Sequence, residues 1–338
     1  MKQIITSLAL IFSLTLFAQS PVEYMNQISS EFKAIQSATW DYTKSVAKNK
    51  SARKVDKNRV ELAKTIAKSI EKVKKIADFN GSTYYRDSVL SFLNMNLAVV
   101  SQDYEKIMNL EEIAEQSYDL MDAYMAAQEA ASDKLAQYGE MVDVEEHKFA
   151  KENDINLIES SDKIGLRLKK AGEVYDYYNP VYLIFFKAYK QEAYLSDALA
   201  KGDISGMEQN KSSLSSVAQE GLGKLDAVKD FNGDLSLKNV CTEMLKFYQE
   251  EADKHYQVLI DFQTTKEGFE KAKSTIESKK DTERTQEDID NYNAMVKEYN
   301  AKTVEFNSTI NDLNNRRTKL LNAWNNGSAN FTNKHIMQ

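Results

Sequence analysis

The chain has 338 residues, with 44 Lys and Arg against 51 Asp and Glu, a formal net charge of −7 and a 42% hydrophobic share. That apolar share is ordinary for a globular chain and excludes disorder over the whole length. Its 2 prolines and 11 glycines are too few for the turns of a many-stranded sandwich, barrel or propeller, and its single cysteine excludes an internal disulfide framework or a cysteine-rich zinc site.

Lys2 precedes a mainly apolar stretch from Ile4 to Phe17, followed by Ala18, Gln19, Ser20 and Pro21. A positive residue, an apolar segment and a small residue in that order predict a signal peptide over residues 1–18, cut after Ala18. The rival reading is an uncleaved anchor, but the segment falls short of the about 20 apolar residues that span a bilayer. No cysteine follows the leader, so the expected product is exported to the periplasm or outer cell surface without a lipid anchor. The longest aliphatic and aromatic run beyond it, Val181 to Phe186, is too short for a transmembrane span.

Self-similarity organises the remainder. Asp78-Phe79-Asn80-Gly81 recurs as Asp230-Phe231-Asn232-Gly233, 152 residues later, and Phe32-Lys33-Ala34 recurs as Phe186-Lys187-Ala188, 154 residues later. Leu93 pairs with Leu245, Tyr104 with Tyr256, and Met141-Val142 with Met295-Val296, always in the same order. The pattern predicts a tandem duplication, with one repeat over 22–172, a second over 174–327, and a frayed, Asn-rich tail over 328–338.

Within each repeat the apolar period is helical. Ile66, Ile70, Val73 and Ala77 share one helix face, as do Leu120, Tyr124, Ala127, Ala131, Leu135, Tyr138 and Val142. Helices are expected over 22–48, 57–79, 83–109 and about 110–149, and in the same order in the second repeat. The Phe-Asn-Gly motifs read as helix stops, since Asn and Gly accept the left-handed conformation there. Calcium binding by Asp230, Asn232 and Asp234 is disfavoured, because Leu235 and Cys241 stand where an EF-hand loop needs Gly and Glu. Asn179-Pro180 reads as a helix start, with a kinked continuous helix as the alternative, and the segments 158–172 and 313–327 are expected to bridge or cap the bundles. The fold class is therefore all-α: two elongated four-helix-bundle-like units in tandem.

No constellation for chemistry is found. The three histidines, His147, His255 and His335, lack the Glu three residues upstream that di-iron bundles place there, and no zinc, serine-hydrolase or phosphate-loop motif is present. No catalytic residue, metal or cofactor is expected; Cys241 reads as a buried, inert thiol.

Two features stand above background. Tyr178, Tyr182, Phe185 and Tyr189 form an aromatic stripe on one helix face, a candidate pocket or partner surface whose simpler explanation is core packing. Between Lys44 and Lys75 there are 12 Lys or Arg against 3 acids, and between Asp103 and Asp162 17 acids against 4 lysines. Lys57, Lys64, Lys68, Lys72 and Lys75 are the candidate basic binding face, for an envelope protein or an anionic surface component. It could instead pair with the acidic long helix or simply be solvated. Nucleic acid is disfavoured for an exported, net acidic chain.

The run Asp103-Tyr104-Glu105-Lys106-Ile107, then Glu111 to Tyr118, with Tyr177-Tyr178-Asn179 and Val181 to Lys187, resembles a family of exported, helix-rich surface proteins of Gram-negative bacteria. That resemblance implies export and an all-helical build and carries over no catalytic residue. The expected function is a non-catalytic binding or scaffolding role in the envelope; the alternative is a helical effector or pore component that releases a segment such as Val181 to Phe186 into a membrane.

Overall fold

The computed structural model describes residues 19–48, 52–157 and 163–337. The expected leader, residues 1–18, lies outside the described residues. The fold is all-α, and no strand occurs among the described residues. The first unit comprises α1 (Pro21–Ala47), α2 (Ala52–Val73), α3 (Tyr84–Ala98), α4 (Tyr104–Ala114) and α5 (Tyr118–Glu152). The second comprises α6 (Lys163–Lys201), α7 (Ile204–Ala227), α8 (Ser236–Glu250), α9 (Tyr256–Glu277) and α10 (Gln286–Ile336). In each unit the first two helices form a hairpin, and the third runs through one π-helical turn into the fourth, which folds back as the long fifth helix. The π turns are Val99–Asp103 and Glu251–His255.

Local chemistry explains the helix ends. Ser20 accepts from the Glu23 N–H while Glu23 accepts from the Ser20 N–H, and Pro21 opens α1. Asn80 and Asn232 both adopt φ 52°, followed by Gly81 at 81° and Gly233 at 82°, so the two Phe-Asn-Gly stops close in one left-handed geometry. The helix expected over 83–109 is α3, the π turn and α4 in succession and runs on to Ala114, and Ser117 caps α5 by accepting from the Leu120 N–H.

Corresponding aromatic triads pin the two units. Tyr24, Phe79 and Phe149 lie with ring centroids 5.2–5.5 Å apart, and Tyr177, Phe231 and Phe331 lie 5.3–5.5 Å apart. Phe149 thus corresponds to Phe331, 182 residues on, and the alignment of Met141-Val142 with Met295-Val296 does not hold in space. The difference is a longer hairpin. Helix α9 has 22 residues against 11 in α4, and α10 has 51 against 35 in α5. At 1.5 Å per residue α10 is about 76 Å long. Phe262, Phe269, Tyr299 and Phe306 stack along this extension, the closest pair at 4.3 Å.

Three expectations are corrected. Asn179-Pro180 does not start a helix, and the alternative of a continuous one holds: Pro180 sits within α6, on its exposed side, where the carbonyl left without a donor can face water. The segment 313–327 is not a separate bridge but part of α10, with Leu313 and Trp324 buried. Nor does the tail fray. Phe331, Thr332, His335 and Ile336 are buried on the last turns of α10, because Phe331 and His335 cover Phe231 and the Asp234 carboxylate accepts from Lys334 (2.7 Å) and meets His335 Nε2 (2.8 Å). One apolar core fills α1, α2, α3 and the end of α5; another fills α6, α7, α8 and α10 and takes in Ala47, Ala114, Met121 and Met125 of the first unit.

Candidate functional site

Where the two units meet, the C-terminal turns of α1 and α4 approach α5, α6 and the last turns of α10 around a cavity of about 270 Å³. Tyr175, Tyr178 and Tyr182 fall at i, i+3 and i+7 of α6 and so present one wall. Tyr175 and Tyr178 stand perpendicular (86°, centroids 6.4 Å), and Tyr182 lies against Tyr178 at 5.8 Å. Tyr124 faces them from α5, its hydroxyl accepting from Gln128 at 2.8 Å. Met121 and Met125 supply adaptable apolar surface. Ser328, Ala329 and Thr332 close the side given by α10. Glu115, exposed at the C-terminus of α4, is the one charged side chain among the described lining residues.

Burial governs the protonation of this site. It pushes the Tyr178 phenol up to about 12, with the bond from Ser328 acting in the opposite direction. It also raises Tyr175 and Tyr182, helped by neighbouring phenols and, at Tyr182, by the Glu115 carboxylate. At neutral pH these side chains are neutral rings carrying hydrogen-bonding hydroxyls.

The aromatic stripe expected from the sequence therefore divides. Tyr178 and Tyr182 line the cavity, whereas Phe185 stacks on Trp324 at 4.1 Å and Tyr189 on Phe185 at 5.7 Å, inside the second core. Val181 to Phe186 is held in that core too, with Val181, Phe185 and Phe186 buried. No helix among the described residues is long and apolar enough to cross a membrane.

Lys57, Lys64, Lys68 and Lys72 share the exposed face of α2, opposite the buried Val55, Leu62, Ile66, Ile70 and Val73, and Lys75 is exposed in the turn that follows. Only Lys72 among them reaches a carboxylate on another helix within the described residues, Glu31 of α1 at 3.0 Å. Helix α2 packs on α1 and α3, and no ion pair joins its lysines to acidic α5 within those residues. Arg59 is turned inward, donating to the Val100 carbonyl that the π turn exposes.

Sequence reasoning missed a buried charge cluster in the second unit. Glu251, fully buried in the π turn, and Glu192 of α6 both pair with Arg317 of α10. The Arg317 Nε lies 2.9 Å from Glu192 but is not aligned to donate, and Glu251 Oε2 has no hydrogen-bond partner. Burial first, and then the nearby Glu192 charge, outweigh the Arg317 attraction and push the Glu251 carboxyl up to about 7. In the first unit the same places hold Thr39, Val99 and Leu135. Spacing along the chain carries no signal of this cluster.

Cys241 is buried, its thiol directed at the Val181 carbonyl and pushed up to about 12 by desolvation. Among the described residues no group of three or more His, Cys, Asp or Glu gathers as a metal would need. Comparison with protein families, with curated proteins and with solved structures gave no match to this chain.

Proposed function

We propose that this protein is an exported, non-catalytic component of the cell envelope, of periplasm or outer surface, that binds a small ligand or a partner at the junction of two helical units derived from one duplicated ancestor. The observation that carries the reading is the tyrosine-walled cavity itself, concave, mainly apolar and furnished with a few convergent polar groups. The matched aromatic triads, π turns and Phe-Asn-Gly stops support the duplication. The leader supports export, and the likeness to exported Gram-negative surface proteins agrees with it. Several strongly shifted acids support a structural rather than a reactive use of charge: Glu220 bonds Lys187 and Lys224, Glu250 bonds Arg316, and Glu251 bonds Arg317. The exposed lysine face of α2 offers a second surface, suited to an anionic component of the envelope.

Native mass spectrometry of protein recovered from the envelope fraction of its own cells tests both halves. The expected chain begins at Gln19 and carries an additional small mass that Ala329→Phe, which fills the cavity, removes without lowering the melting temperature. An intact leader on cytosolic protein overturns export. Identical masses for the wild type and the variant overturn the cavity.

A further inference from the structure

The cavity also indicates the chemistry of its occupant. We propose that it binds a small organic cation of the quaternary-ammonium class. This assignment rests on the cavity being a binding site at all, as proposed above, and adds the charge of what it takes.

Three independent features converge. The first is the wall: Tyr124, Tyr175, Tyr178 and Tyr182 converge from two helices, with Tyr175 and Tyr178 at right angles. Aromatic side chains bordering a concave site are how proteins hold an alkylated ammonium, since aromatic rings carry a quadrupole that attracts a cation and the methyl groups need apolar contact. Met121 and Met125 extend that contact with polarizable thioethers. The second feature is charge. Glu115 is the one charged lining side chain among the described residues, and it is a carboxylate at the rim. An organic anion would meet that carboxylate with no Lys or Arg in the lining to answer it. The third is helix polarity: Val46 and Ala47 belong to the last turn of α1, and Ala114 and Glu115 to the end of α4, so two carbonyl ends border the cavity. Helix C-termini carry the negative end of the macrodipole and favour a cation. Against them stands one N-terminus, that of α5, whose second turn contributes Met121.

A neutral aromatic guest would use the same rings and gain nothing from the carboxylate or the carbonyl ends. The test is therefore a comparison at constant shape. The folded chain is titrated calorimetrically with choline and with 3,3-dimethylbutan-1-ol, which replaces the quaternary nitrogen by carbon. The expected result is saturable, one-to-one binding of choline at least about tenfold tighter than the alcohol. Tyr124→Leu is expected to weaken choline about three- to tenfold. Glu115→Gln, a change at an exposed position that leaves the fold untouched, should weaken it about two- to fivefold and leave the alcohol unaffected.

If the alcohol binds as tightly as choline, the cationic assignment is overturned while the cavity remains a binding site. If choline does not saturate, or binds unchanged to Tyr124→Leu, the assignment is likewise overturned. The mass difference between wild type and Ala329→Phe then decides separately whether a neutral ligand occupies the cavity.

Discussion

Replacing Glu251 by Gln should change the pH dependence of stability in a direction set by its burial. The carboxyl lies fully buried in the π turn, with one oxygen on Arg317 and the other without a partner. It stands at about 7 in the folded chain against an ordinary value of 4.5. A carboxyl raised by folding holds its proton longer in the native state than in the unfolded one, so native stability falls as pH rises between the two values. Linkage between them gives a loss of about 2.5 kcal/mol from pH 5 to pH 8. Gln does not titrate, so the variant lacks this loss. Urea unfolding of both proteins across pH 5–8 exposes the effect, because the titrations of groups remote from this cluster cancel in the difference. The variant should approach or exceed wild-type stability at pH 8 relative to its standing at pH 5. Parallel profiles would refute the burial argument for Glu251.

Removing the cation from the same cluster acts in the opposite direction. Arg317→Met strands two buried carboxylates and should cost about 3–5 kcal/mol at pH 7, with the deficit shrinking in acid as one of them takes a proton. Phe331→Ala, in the segment whose composition suggests fraying, should cost about 3–5 kcal/mol in urea unfolding, since its ring covers Tyr177 and Phe231; a frayed tail would give no change. At Asp234 burial alone would raise the carboxyl, but the bonds from Lys334, Ser236 and His335 prevail and hold it well below the ordinary carboxylate range. Its stabilisation is therefore present at neutral pH and lost as pH falls through that depressed value, so Asp234→Asn should destabilise near pH 7, and the gap should narrow in strong acid. Lys64→Glu, Lys68→Glu and Lys72→Glu together should leave helicity and melting nearly unchanged, since only Lys72 of the three reaches a carboxylate on another helix, while abolishing in-cell crosslinks to an anionic partner of α2.

Much of this architecture was legible in the chain because it is encoded locally. The opposed stripes of α2, Ile66, Ile70 and Val73 against Lys64, Lys68 and Lys72, depend only on helical period. The Phe-Asn-Gly stops depend only on the tolerance of Asn and Gly for positive φ. Asn179-Pro180 left a helix start and a continuous helix both open, because the pair that opens a helix is also accepted within one when its face is exposed. Asn-rich composition obscured the anchor Phe331, whose spacing from Leu313 and Trp324 continued the apolar side of α10 and could have been read. The π turns have no residue signature here. For the cavity, the tyrosines of α6 were visible, but their meeting with Tyr124, Glu115 and Ser328 depends on which helix ends pack together. Glu192, Glu251 and Arg317 come from three elements far apart in the chain, and only tertiary packing makes them one group.

Helix α6 belongs to both units at once. Ala171, Val174, Leu195 and Ala198 all lie in the second core, while Arg167 near its N-terminal end lies over the Trp40 ring of α1. The tyrosine cavity sits in the seam beside it, lined from both units. A change in the angle between the units would therefore change the spacing of the cavity walls. If the cavity is occupied as proposed, occupancy and that angle would be thermodynamically reciprocal, so that a guest fitting the seam would stiffen the joint.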